Sequence, residues 1–206
     1  MQKDEIIHEG RIKYIVSLHP VISELIWREE KPNLEDELLA QYTGSLIGII
    51  NDDTKSPKEK SEYLDIVTFF AKRINEETEL AAATYDGLSS YLQEQGIYYK
   101  MLEYELIALE IRKKILPKDH PHLALSYSNV GVSYGNLGQY EEALEHHLIA
   151  LEMRKEILPS DHPDIADSYY NVKSAYKKLI ETYTNQGRHE EAEELAQKLI
   201  ALEDNS

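Results

Sequence analysis

Residues 106–124 read LIALEIRKKILPKDHPHLA, and residues 148–166 read LIALEMRKEILPSDHPDIA. The offset is 42 residues, and 14 of the 19 positions are identical. The same offset pairs Gly96 with Gly138, Tyr98 with Tyr140 and Tyr85 with Tyr127. Self-similarity at a fixed period of this length marks a repeat architecture. Each unit is then one supersecondary element that buries its apolar face only by stacking on a neighbour.

Each period reads as two helices. The first helix of the middle period starts at His120 and Pro121, because proline suits a first helical position whose N–H has no partner anyway. Asp119 adds negative charge at the positive end of the helix dipole. Leu123, Tyr127, Val130 and Tyr134 then recur at helical spacing. Asn136 and Gly138 end the helix, with glycine free to take a left-handed conformation. The second helix runs from about 139 to 158, with Tyr140, Ala143, Leu144, His147, Ala150 and Leu151 on one face. Pro159 and Asp161 mark the next break. The preceding period places its helices near 79–94 and 97–116.

The third period departs from the other two. Gly187 lies 49 residues after Gly138, seven more than the period requires. Seven residues are about two helical turns, so the first helix can lengthen to about 163–185 without changing which side chains face inward. Tyr169, Tyr176 and Tyr183, spaced by seven, agree with one long helix. Its partner spans about 188–203.

The series Tyr127, Val130, Gly131, Tyr134, Gly138, Tyr140, Ala143 and Ala150 resembles the tetratricopeptide repeat. The 42-residue period resembles the long variety found in kinesin light chains and in many bacterial signalling proteins. That resemblance implies an all-α, right-handed solenoid of stacked antiparallel helix pairs. Met101 and Lys173 stand where the family has small residues, which predicts looser packing in the outer repeats.

Upstream, RIKYIVSLH at 11–19 alternates Ile12, Tyr14, Val16 and Leu18 with other residues and reads as a strand. His19 and Pro20 open a helix that Pro32 stops. The run GRIKYIVSLHPVISELIWREEKP is similar to the end of the winged-helix module of STAND-type signalling ATPases, in which such a module precedes tetratricopeptide repeats. No glycine-rich phosphate loop with Lys-Ser/Thr follows the pattern of P-loop proteins, so the ATPase part is expected to be absent from this chain. Residues 33–50 and 57–77 read as two further helices, with Asn33 placed to cap the first. The expected organisation is a winged-helix-like remnant at 1–31 and a helical hairpin at 32–78, a degenerate repeat or N-terminal cap. Three repeats follow over 79–206, divided as 79–119, 120–161 and 162–206.

Composition narrows the chemistry. The 206 residues include 38 Asp plus Glu against 22 Lys plus Arg, for a net charge of −16. Such a surface repels phosphate backbones and argues against nucleic acid. It could instead select a basic partner. The absence of cysteine removes disulfides, thiol nucleophiles and cysteine-based metal sites. No apolar run approaches the ~20 residues of a membrane helix, and the N-terminus lacks a signal-peptide core. A cytoplasmic location with no membrane association is expected. Fifteen tyrosines against two phenylalanines is the odd feature, and the repeat absorbs it, since eight of them sit at recurring packing positions.

No catalytic constellation emerges. His120 and His162 belong to the repeated DHP element, so helix initiation explains them better than metal binding, even with His122 nearby. His146 and His147 are adjacent and point about 100° apart on a helix, so they cannot easily share an ion. His147 fills the inner face of its helix. Glu141 with Glu142 and Glu190 with Glu191 lie in first turns, where they favour the dipole. No strand–nucleophile–helix context surrounds a serine. The chain therefore reads as non-enzymatic, with no cofactor and no metal.

What remains is a groove. The resemblance implies protein or peptide binding on the concave face lined by the first helix of each pair. Carried over by position, the ligand-facing residues are Asp86, Ser90, Gln93 and Glu94 in the first repeat. In the second they are Ser128, Asn129, Val132 and Asn136. In the third they are Tyr170, Asn171, Ser174, Lys177 and Lys178. Asn129 and Asn171 are the best single candidates, because an amide can both donate to and accept from an extended backbone. Each could equally serve only to tether its own helix. Ala83, Leu125 and Asp167 occupy the places where some family members carry a basic carboxylate clamp, so that clamp is not expected. The resemblance implies a sensor or adaptor part of a STAND-like protein; the alternative is a free-standing scaffold, like kinesin light chain, bridging two proteins.

Overall fold

The computed structural model describes residues 78–203, together with Gly48, Ser56, Leu64, Val67 and Thr68. The expected strand-plus-helix remnant at 1–31 and most of the hairpin at 32–78 lie outside the described residues. Six helices cover the rest: α1 Glu79–Glu94, α2 Tyr98–Ile115, α3 Pro121–Asn136, α4 Tyr140–Ile157, α5 Pro163–Asn185 and α6 His189–Glu203. The described residues contain no strand. They form the stacked helix pairs that the resemblance to tetratricopeptide repeats implies.

The chain divides into two compact units, Met1–Tyr91 and Leu92–Ser206. In the first, Ala81, Ala82, Tyr85 and Leu88 are buried on α1. In the second, each helix packs on its sequence neighbour: α2 on α3, α3 on α4, α4 on α5, and α5 on α6. Connections of a few residues between packed neighbours make the pairs antiparallel.

The turns inside each pair are built alike. Gly96, Gly138 and Gly187 have φ of 70°, 75° and 76°. At Gly138 the chain reverses with the Gln139 N–H donating to the Tyr134 carbonyl at 3.0 Å. This is the left-handed helix end that only glycine adopts without steric cost.

The DHP element works as a cap. His120 and His162 sit at the N-caps of α3 and α5, with Pro121 and Pro163 next. The His120 Nδ1 accepts from the His122 N–H at 3.1 Å, and the His162 Nδ1 accepts from the Asp164 N–H at 3.2 Å. An imidazole thus fills the role usually taken by Ser, Thr, Asp or Asn.

The repeated arginine is equally structural. Arg112 and Arg154 are buried, at 3% and 8% exposure. Each donates through Nη1 to a serine on the next helix, Ser126 and Ser168, at 2.7 Å in both cases. These paired bonds tie the second helix of one repeat to the first helix of the next.

Two apolar clusters fill the unit. Leu109, Leu123 and Val130 form one, with Tyr127, Tyr134 and Met153 packed around it. Leu151, Ile165, Val172, Tyr176 and Leu199 form the other. The seven-residue insertion is absorbed as expected: α5 has 23 residues and α3 has 16. Met101 is buried, and the Lys173 ammonium lies 5.9 Å over the Tyr169 ring.

Candidate functional site

A cavity of about 250 Å³ opens over α3, α4 and α5. On α5 its wall is Asn171, Ser174, Ala175 and Lys178. That spacing of three, four and seven places all four on one helical face. From α3 come Gly131, Val132, Gly135 and Asn136, and from α4 come Tyr140, Ala143 and His147. The hollow exists because small residues meet there. Gly131, Gly135, Ala143 and Ala175 leave room that larger side chains would fill.

Gly131 is held to its size by contact. A Cβ placed on it would meet the His147 Nδ1 and Cε1 at 2.7 Å. The imidazole therefore packs directly on the α3 backbone. His147 is 6% exposed, and its Nδ1 has no hydrogen-bond partner within the protein. Burial lowers its pKa to about 4, and His146 and Arg154 add to the depression. The ring is neutral at neutral pH.

That depression makes stability pH-dependent. The unfolded chain takes up a proton at this histidine near pH ~6.5, whereas the folded chain resists until about pH 4. Stability is therefore lost as pH falls through this window, with a slope of up to ~1.4 kcal/mol per pH unit from this group. Urea midpoints at pH values spanning the window should fall more steeply for the native protein than for His147→Phe. Parallel curves would refute the assignment.

The predicted ligand-facing residues separate into groups. Val132, Asn136, Asn171, Ser174 and Lys178 line the cavity together. Ser128 does not: it is 7% exposed, and its Oγ accepts from the Asn171 Nδ2 at 3.4 Å. It positions Asn171 from below. Asn129 is half-buried on α3 and is not part of the lining. Tyr170 stands 73% exposed, and Lys177 is exposed, both outside the cavity. On α1, Asp86 is half-buried, and Ser90, Gln93 and Glu94 are exposed. The Ser90 hydroxyl donates to the Asp86 carbonyl at 3.0 Å.

Polar groups at the rim keep free capacity. The Asn136 Nδ2 has only the Met101 sulfur, at 4.0 Å. Lys178 is exposed and reaches Glu181 at 3.5 Å, a loose surface pair worth little. Among the described residues no three His, Asp or Glu side chains group to hold a metal ion. No helix among them is long and apolar enough to cross a membrane.

Sequence reasoning missed Tyr140 and His147 as cavity residues, having read both as packing positions. One signal was available. His147 stands where the preceding period has Glu105, immediately before the stretch in which the two periods are most alike.

Comparison with known proteins agrees with this architecture. The tetratricopeptide repeat profile matches residues 81–122 and 123–164, so the chain carries tetratricopeptide repeats. No curated protein matches the sequence. Among solved structures, the chain is similar to a Podosopora anserina protein described as a kinesin light chain with nearly identical TPR-like repeats. The match has 21% identity and a TM-score of 0.57, over 98% of this chain and 91% of that one. It is also similar to BtubC (BKLC) from P. vanneervenii, at 18% identity and TM-score 0.59, over 98% of this chain and 77% of that one. A third likeness is to the apo form of RapI, at 18% identity and TM-score 0.54, over 98% of this chain and 52% of that one. At these identities the likeness is one of fold.

Proposed function

We propose that this chain is a non-catalytic module that binds a protein or peptide segment along the face carrying the α3–α4–α5 cavity. The observation that supports it most is the convergence of Asn136, Asn171, Ser174 and Lys178 around a floor of small residues. Backbone-spaced amides and a hydroxyl can pair with the N–H and C=O groups of an extended segment, and the hollow takes a side chain. Amides, a hydroxyl and an ammonium around a hollow of small residues suit binding an extended segment.

The same proposal places the module as the sensor or adaptor part of a STAND-like signalling protein in the cytoplasm. The sequence run at 10–32, upstream of the hairpin and the repeats, supports that context. A second reading is a free-standing scaffold that bridges two proteins. The 42-residue period and the kinesin-light-chain-like neighbours favour it.

The groove is tested with a random-peptide display library selected on the full chain. Binders should lose about tenfold or more in affinity on the double change Asn136→Ala and Asn171→Ala, the equivalent of one or two hydrogen bonds. The melting temperature should stay nearly unchanged, since both amides have only long contacts at 3.4 Å or beyond. Unchanged affinity would refute the groove assignment.

A further inference from the structure

Gly131 and Gly135 both line the cavity, and the chain accounts for only the first of them. The His147 ring fills the space that a Cβ on Gly131 would need, with contacts at 2.7 Å. A Cβ on Gly135 would meet only the Ala143 Cβ, at 3.9 Å, an ordinary van der Waals contact. Packing within the chain therefore does not require glycine at 135. Nor does the backbone: Gly135 lies inside α3, and the positive φ of this turn belongs to Gly138.

The other repeats supply the control. Gly96, Gly138 and Gly187 reverse the chain after α1, α3 and α5. Their N–H groups donate to the carbonyls of Gln93, Gly135 and Thr184, at 3.0, 3.0 and 3.1 Å. The same helix end is thus built with glutamine or threonine in place of glycine, and both of those side chains are exposed. Counted from the helix start instead, the α5 counterpart of Gly135 is Lys177, also exposed. Glycine at a helical φ leaves the unfolded chain more freedom to lose than any of these residues does. The middle repeat alone carries that cost, at the place where the cavity opens.

The lining says what the space takes. Val132, Ala143, Ala175 and the His147 ring stand around Gly135. No Asp or Glu lines the cavity, and the Lys178 ammonium is already paired with Glu181 at 3.5 Å. A charged side chain entering here would lose water without finding a counter-ion. An apolar side chain has no such loss. The volume of about 250 Å³ lies below the roughly 300–1,000 Å³ of small-molecule pockets and suits one side chain.

We propose that Gly135 is the specificity-determining residue of the groove: the space left by its absent side chain receives one apolar side chain of the bound segment. The inference rests on the groove-binding reading above and names the anchor within it. The anchor packs on the α3 backbone at Gly135 and on Val132, Ala143 and Ala175, while Asn136 and Asn171 hold the backbone of the segment outside it. Burial of the anchor supplies affinity, and the size of residue 135 sets the largest anchor admitted.

Peptides selected from the display library on the full chain provide the test, each measured on the native protein, Gly135→Ala and Gly135→Gln. The glutamine variant places in the second repeat the residue that the first repeat carries at Gln93. Both variants should keep the native melting temperature, and alanine should raise it slightly. Groove binders should carry an apolar residue whose change to alanine weakens binding about tenfold or more, the scale of burying one aliphatic side chain. Gly135→Gln should weaken the parent peptides by a similar factor, and Gly135→Ala by a smaller one. On the Gly135→Gln protein the alanine version of the peptide should lose little more, because both changes remove the same contact. Groove binders anchored by a charged side chain, affinity unaffected by Gly135→Gln, or a full alanine penalty that persists in that variant would each overturn the inference while leaving the groove reading intact. So would a lowered melting temperature in either variant, which would mean that the glycine serves the fold. A library that yields no binder sensitive to Asn136 and Asn171 would overturn both.

Discussion

Leu151→Ala is expected to destabilise the protein by ~2–5 kcal/mol, because it removes a fully buried side chain from a junction that cannot close around the loss. Leu151 is 1% exposed and belongs to one cluster with Ile165, Val172, Tyr176 and Leu199, contributed by α4, α5 and α6. Its counterpart one period earlier, Leu109, sits in the separate cluster with Leu123 and Val130. A solenoid is stabilised by terms internal to each repeat and terms between neighbours. The damage from Leu151→Ala should therefore concentrate where its partners are. Hydrogen exchange should show α5 and α6 losing protection first, with α2 and α3 keeping more of theirs. Leu109→Ala should invert the pattern toward α2 and α3. Uniform loss along α2 to α6 in both variants would contradict nearest-neighbour stability and indicate a single cooperative unit.

The same modularity explains what could be read from the amino acids and what could not. The helix pairs were legible because their punctuation repeats: His-Pro at the start of the second and third pairs, a glycine at each reversal, and a seven-residue insertion that preserves facing. Those signals are local, so one chain carries them without help from tertiary structure. The cavity is a different kind of feature. It arises where Gly131, Gly135, Ala143 and Ala175 from three helices leave space together, and an absence shared between distant residues has no linear motif. Position-by-position transfer brought Val132, Asn136, Asn171, Ser174 and Lys178 to the site but carried Ser128 along with them. One residue on a helix is a rotation of about 100°, enough to turn Ser128 into the interior beneath Asn171 and leave Asn129 outside the lining. His147 was legible only as a packing residue. Its missing partner becomes visible once the neighbouring helices are in place.

The buried Arg–Ser ties make the second large prediction, which turns on an asymmetry. The Arg154 Nη1 donates to the Ser168 Oγ at 2.7 Å and to the Asp164 carbonyl at 3.1 Å, while the Ser168 hydroxyl donates to that same carbonyl at 2.9 Å. Ser168→Ala removes an acceptor and leaves a buried guanidinium short of a partner. Hydrogen bonds to charged groups are worth ~1.5–3 kcal/mol, and that is the expected loss. Arg154→Met removes the cation and keeps an apolar stem of similar reach, while Ser168 still satisfies the Asp164 carbonyl. Replacing a buried charge with a well-packed apolar group is often close to neutral, so Arg154→Met should cost less than Ser168→Ala. With Met at 154, adding Ser168→Ala should cost less than it does beside the arginine, since no cation then depends on the hydroxyl. The double-mutant cycle should show a coupling of ~1 kcal/mol or more. Urea denaturation of the four proteins measures it, and the same cycle at Arg112 and Ser126 repeats the test one period earlier. Strictly additive changes would mean that packing alone, and not the charge-assisted bond, keeps arginine at the repeated position.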